Sequence, residues 1–184
     1  MFSKSQTGVT LIELMVVVGI AAIMATMAAP SFSDFIQNTR VTSTMTQLFG
    51  DLNRARGEAI KRNSRVLVCA HEINGTVCAN TNWKNGWLVC YDNNPQDNVC
   101  DVVANNDPNP NPILIRPAIN AKLTLTGTLA GGATFTTLQF NPNGRAATPA
   151  GTANFPATLA LCCKSAATNA SSAVIAVTGN ISRP

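Results

Sequence analysis

The sequence predicts an α+β chain: one long N-terminal helix whose C-terminal half lies on an antiparallel β-sheet head. Three observations predict it. Thr7 to Phe32 is almost unbroken apolar sequence. Beyond Pro30, Val41, Met45, Leu48, Leu52, Ala55 and Ala59 recur at alternating steps of four and three, the stripe of a helix resting on a core. After Arg62 the composition changes to short β-type runs separated by turn residues.

The stretch Val9 to Ala29 has about the 20 residues needed to cross a bilayer as a helix, and Gly19 with its many Ala and Met neighbours suits close helix packing. Pro30 is expected only to kink or loosen the rod, because the periodic stripe resumes beyond it and carries the helix to about Arg62. Asp51, Arg54 and Glu58 place opposite charges three and four residues apart, which fits an exposed face opposite the stripe.

Strands are predicted at Arg65 to His71, Trp87 to Tyr91, Ile113 to Arg116, Lys122 to Thr126, Thr134 to Phe140, Thr158 to Cys162 and Ala173 to Thr178. Asn74-Gly75, Asn85-Gly86 and Asn141-Pro142-Asn143-Gly144 supply turns between them. Asn93 to Pro112, rich in Asn, Asp and Pro, reads as a long surface loop. One helix followed only by short strands argues for a single α+β head with no second domain.

Six cysteines suit an oxidising, extracytoplasmic compartment. Metal binding favours clustered Cys-x-x-Cys pairs and redox catalysis wants that motif on a βαβ unit; Cys69, Cys78, Cys90 and Cys100 show neither, which leaves disulfides. The simplest pairing joins Cys69 to Cys78 across the Asn74-Gly75 turn and Cys90 to Cys100 at the loop base, each worth about 2 to 3 kcal/mol in the chain-entropy model. Adjacent Cys162 and Cys163 point to opposite faces of a strand, so a vicinal bond is strained and pairing with a distant cysteine is the alternative. Six cysteines allow about 15 connectivities, and spacing alone does not choose among them.

Net charge is +4, unevenly placed: after Asp107 there is no acid, while Arg116, Lys122, Arg145, Lys164 and Arg183 remain, so the C-terminal part is a candidate basic surface. Asp92, Asp97, Asp101 and Asp107 could supply hard oxygen ligands to calcium, but their spacing is irregular and Asx-rich turns form without metal. The chain has one histidine, His71, with no evident nucleophile beside it and no phosphate-binding glycine loop, so the sequence implies no catalysis and no cofactor.

One carboxylate, Glu13, sits near the start of the apolar stretch. An ionised carboxylate in hydrocarbon is costly, so Glu13 implies a neutralising partner. The run Gly8-Val9-Thr10-Leu11-Ile12-Glu13 resembles the class III signal of type IV prepilins and pseudopilins. That resemblance implies a leader at 1–8 removed after Gly8 by prepilin peptidase, a mature N-terminus at Val9 that is N-methylated, a transmembrane and assembly helix at 9–30, and residues 31–184 as amphipathic helix half plus periplasmic head. Many family members start with Phe, so Val9 is a departure. The resemblance also implies that Glu13 pairs with the free amine of Val9 on a neighbouring subunit, fixing the register of the helix bundle.

Further segments are similar to one branch, the H-type minor pseudopilins and related minor fimbrial proteins of the GspH and FimT type. They are Asn53-Arg54-Ala55-Arg56-Gly57-Glu58-Ala59-Ile60, the strand Arg65-Val66-Leu67-Val68-Cys69, the Trp83-Lys84-Asn85-Gly86-Trp87 element, the Phe140 to Gly144 turn and the final apolar run Val174 to Gly179. The branch implies a pilin-like fold and a minor structural subunit of a type IV pilus, held in the bacterial inner membrane by a single pass and contacting other pilin subunits. It equally implies a minor pseudopilin of a type II secretion system. A third implication is DNA uptake, because in some members a Gly-Arg-x-Arg ending contributes to DNA binding. Independently of that ending, the acid-free basic part offers Arg145, Lys164 and Arg183 as candidate contacts by phosphate attraction. This chain ends Gly179-Asn180-Ile181-Ser182-Arg183, so the first Arg of that pattern is missing.

Overall fold

The computed structural model describes residues 8–72, 75, 78, 82–92, 99–101, 111–149, 151, 154–163 and 170–183, leaving aside the side chains of 27–33 and 163. Helix α1 runs Leu11–Arg62. The chain forms two compact units that divide within it, Met1–Thr39 and Arg40–Pro184.

In the second unit, the helix buries the face its periodicity marks. Val41, Met45, Leu48, Leu52, Ala55 and Ala59 are each at most 3% exposed. Stacked at i, i+3 and i+4, they present one apolar ridge, and each fully buried large side chain is worth about 1.5 to 3 kcal/mol. The helix stops where Asn63 takes a positive φ of 50°, a left-handed turn that Asn tolerates.

Among the described residues nine strands follow: β1 (Val66–Ala70), β2 (Trp87–Tyr91), β3 (Leu114–Ile115), β4 (Leu123–Leu129), β5 (Thr137–Phe140), β6 (Ala146–Ala147), β7 (Ala157–Cys163), β8 (Ser171–Ile175) and β9 (Ile181–Ser182). They form two antiparallel sheets, not one: a five-stranded sheet ordered β3-β2-β1-β5-β6 and a four-stranded sheet ordered β4-β7-β8-β9. The run expected as one strand from Thr134 to Phe140 is divided between them. Thr134 bridges Thr128 at the end of β4, and the chain then crosses to enter β5 at Thr137.

Strand β1 is buried on both faces. Val66, Val68 and Ala70 join the helix core, while Leu67 and Cys69 face a second cluster with Leu88, Cys90 and Cys100. This explains its continuous apolar reading, which a one-sided sheet would have broken into alternation.

The two sheets and the helix meet at a backbone seam. Arg56 donates from Nε to the Gly144 carbonyl at 3.2 Å and from Nη2 to that of Thr178 at 3.3 Å. Ala146 N donates to Val177 O at 3.0 Å beside them. Gly179, with φ of 79°, lies so close that a Cβ there would sit 1.8 Å from the Gly144 oxygen. Only glycine fits.

Candidate functional site

The first unit presents an apolar helix whose described side chains are exposed. Val9, Leu11, Ile12, Leu14, Met15, Val16, Val17, Val18, Ile20, Ile23 and Met24 are all at least half exposed, on every side of the helix. A helix apolar all round is not suited to face water; it calls for a cover of lipid or of like helices. Among the described residues no helix is long and apolar enough to cross a membrane. The side chains between Thr26 and Asp34, in the last part of the apolar segment, lie outside the described residues.

Glu13 stands in the first turn of α1, exposed. Its backbone N–H donates to Thr10 Oγ1 at 3.4 Å, and Leu14 N donates to Thr10 O at 3.2 Å. Thr10 is therefore the N-cap and Glu13 the N3 residue of a Thr-x-x-Glu sequence, the capping-box spacing. The first-turn N–H groups that lack an intrahelical acceptor, and the partial positive charge of the helix start, favour a carboxylate there. A reading of Glu13 as an expensive charge alone overlooks this local support, although Thr10-Leu11-Ile12-Glu13 spells it out.

In the head, the helix is tied to the sheet by a buried acid. Asp51, expected on an exposed face, is 4% exposed. Arg116 grips it with two bonds, Nε to Oδ2 at 2.8 Å and Nη2 to Oδ1 at 2.9 Å, and Trp87 Nε1 donates to Oδ2 at 3.0 Å. The correction has a geometric cause: Asp51 precedes Leu52 and follows Leu48 by three, so it borders the buried stripe and not its opposite. Arg116 is likewise removed from the basic surface, and its bond to Asp51 raises its pKa further.

Glu58, also expected on that face, is half-buried and accepts from Tyr91 Oη at 2.9 Å and from Arg62 Nε at 2.8 Å. Arg62 lies over the Tyr91 ring, 5.0 Å from its centre. Burial pulls the Glu58 carboxyl up, but the hydrogen bonds from Tyr91 and Arg62 outweigh it and hold the pKa below its ordinary value. For Tyr91, burial and the bond to Glu58 both favour the neutral phenol, pushing its pKa up to about 12. Tyr91 is the chain's single tyrosine, so phenolate absorbance reads it alone. The expected midpoint is about 12, against about 10 for a free phenol. Because the folded pKa is the higher, this contribution is whole below about pH 10 and disappears as pH rises through about 12; a midpoint near 10 in folded protein would contradict the contact.

Residues 44–180 match the family described as type II transport protein GspH, well over half of the chain. The chain belongs to this family. Residues 3–29 match the prokaryotic N-terminal methylation motif. Two proteins of Pseudomonas aeruginosa named fimbrial protein are 37% identical over 67 residues, covering 36% of this chain and 43% of theirs. The chain thus spans less than half the length of these curated relatives.

Among solved structures, the type IV minor pilin FimU of P. aeruginosa is similar with a TM-score of 0.53 and 18% identity, over 82% of this chain and 92% of that one. The minor pseudopilin EpsH from the type II secretion system of Vibrio cholerae is similar with a TM-score of 0.50 and 11% identity, over 79% and 96% of the two chains. At such identities they establish the fold, an α+β pilin-like one.

In this GspH-family head, Cys69–Cys78 and Cys90–Cys100 are disulfides, with Cα–Cα distances of 5.5 Å each. Cys162, half-buried, is a free cysteine, and the Cys163 side chain lies outside the described residues. Of the acids weighed for calcium, Asp92 is fully buried and pairs with Arg65, which removes it from any exposed ligand set; Asp97 and Asp107 lie outside the described residues. His71 is buried, its two ring nitrogens held at the carbonyl oxygens of Glu72 and Arg116.

The candidate DNA contacts are not brought into one described patch. Arg145 is exposed beside the Gly144 turn, and Lys164 lies outside the described residues. Arg183 returns to the helix, its guanidinium 5.7 Å from the Phe49 ring centre and bonded to Thr46 Oγ1 at 3.3 Å. The seam residue Arg56 was missed by sequence reading. Its signal was a cation flanked by the buried positions Ala55 and Ala59, close enough to reach past the stripe.

Proposed function

We propose that this chain is a minor pilin-like structural subunit of a type IV pilus, anchored in the bacterial inner membrane by the segment 9–30 before assembly. The carrying observation is the helix that is apolar and exposed on every side, with a single carboxylate in its capped first turn. In a bilayer the apolar surface is covered by lipid; in a filament, by the same segments of other subunits. Glu13 then meets the free amine of Val9 on a neighbour, exposed when prepilin peptidase cuts after Gly8. A charge pair in that setting offsets the desolvation that either ion alone would suffer. The role is structural, initiating or capping the filament, and not catalytic.

A second reading, the minor pseudopilin of a type II secretion system, is favoured by the family's description and by the likeness to EpsH. Both readings use the same helix. Copurification with tagged pilus or secretion subunits from the native host separates them.

Glu13→Ala tests what they share. The variant is expected to be cut and inserted like the wild type, yet to fall at least about tenfold in the sheared filament fraction, the loss that about 1.4 kcal/mol of assembly free energy would cause. Undiminished incorporation would remove Glu13 from the assembly contact.

A further inference from the structure

We propose that the four disulfide cysteines of the head form one closed thiol–disulfide exchange unit, in which Cys78 is the sulfur that receives an external thiol. Their sequence spacing argues against a cluster; the strand register creates one. Cys69 lies opposite Leu88 and Leu67 opposite Cys90, so Cys69 and Cys90 occupy one face of the β1–β2 pair, on diagonal positions. Cys78 and Cys100 join them on that face. All four sulfurs lie within 4.8 Å of one another, and Cys78 Sγ touches Cys100 Sγ, across the two bonds, at 3.7 Å.

Access within the cluster is uneven. Cys69 and Cys90 are 0% exposed and Cys100 6%, while Cys78 is partly open. An external thiolate therefore meets Cys78 first. Its attack forms a mixed disulfide with Cys78 and breaks Cys69–Cys78; the electron pair leaves on Cys69, which takes up a proton. The second thiol of a dithiol then displaces Cys78 and departs as the oxidised cyclic disulfide. The Cys78 thiolate, already in contact with Cys100, attacks it: Cys78–Cys100 forms, Cys90–Cys100 breaks, and the pair leaves on Cys90. Two electrons have entered, one disulfide remains, and it has moved. The partner this site fits is a dithiol of the thiol–disulfide oxidoreductase class, which through one accessible sulfur can correct both pairings.

The test uses the full chain in detergent micelles, treated with less than one equivalent of a small dithiol at mildly alkaline pH, quenched by alkylation and mapped by mass spectrometry. The expected product is a peptide pair linked Cys78–Cys100, with Cys69 and Cys90 alkylated. Alkylation of Cys69 and Cys78 with Cys90–Cys100 intact throughout would overturn the proposal, as would first labelling at Cys100, or spread of the linkage to Cys162. Cys69→Ser gives a reading without reductant. Its free Cys78 should exchange into Cys78–Cys100 and release Cys90, whereas Cys90–Cys100 alone at every pH would refute the exchange.

Discussion

Asp51→Ala is expected to destabilise the head by about 3 to 5 kcal/mol, the cost of stripping a buried ion pair of one partner. Two groups lose their acceptor at once. Arg116 keeps a charge whose two bonds were both to Asp51, and Trp87, 1% exposed, keeps an indole N–H with no acceptor. Asp51→Asn should cost less, because an amide oxygen still accepts from Trp87 while the charge attraction is gone. Arg116→Ala combined with Asp51→Ala should lose less than the sum of the two single variants, since each already breaks the same contact. Denaturant unfolding of the full chain, read by the fluorescence of Trp83 and Trp87, measures all four. A loss below about 1 kcal/mol for Asp51→Ala would place this pair with ordinary surface ion pairs.

Gly86→Ala should be more damaging, leaving little folded head. Gly86 adopts φ of 101° and ψ of −173°, a conformation open essentially to glycine alone. A Cβ there would lie 2.1 Å from the carbonyl oxygen of Arg116 and 2.6 Å from that of Pro117. Both obstacles are backbone, so neither rotates away. The clash would push out the segment that carries Arg116 to Asp51, which couples this variant to the first. A loss above about 4 kcal/mol is expected, in the range reserved for such backbone conflicts. Gly57→Ala is the control: it lies in α1 with nothing within 4 Å of its Cβ, and should gain up to about 1 kcal/mol from helix propensity. Equal effects at Gly86 and Gly57 would contradict the packing described.

What could be read from the sequence divides along physical lines. The helix end and its buried face were legible because a period of 3.6 residues is a local property: Val41 to Ala59 announce their partner face without naming it. The strands with long apolar runs were legible for the same reason. The short strands β6 and β9 were not, since two-residue pairings such as Phe140 with Ala146 and Ile175 with Ile181 are imposed by their neighbours. Nor was the split into two sheets, which depends on where the chain crosses after Thr134. Asp51, Glu58 and Arg116 were misread because the rule that charges face water fails where charges find partners, and, Arg62 beside Glu58 apart, those partners lie 33 to 65 residues away in sequence. The methylation motif matched by residues 3–29 was legible because Gly8, Val9 and Glu13 form a short linear pattern. The cap by Thr10 is written into the same six residues, as the Thr-x-x-Glu spacing that a helix start favours.

As an assembled subunit, this chain is expected to carry a new N-terminus at Val9. Intact-mass spectrometry of the chain recovered from a sheared filament or secretion-filament fraction tests it most directly. The expected species lacks residues 1–8, carries one added methyl group and keeps the Cys69–Cys78 and Cys90–Cys100 disulfides intact. A chain that is absent from that fraction, keeps Met1, or begins beyond the apolar helix would contradict it.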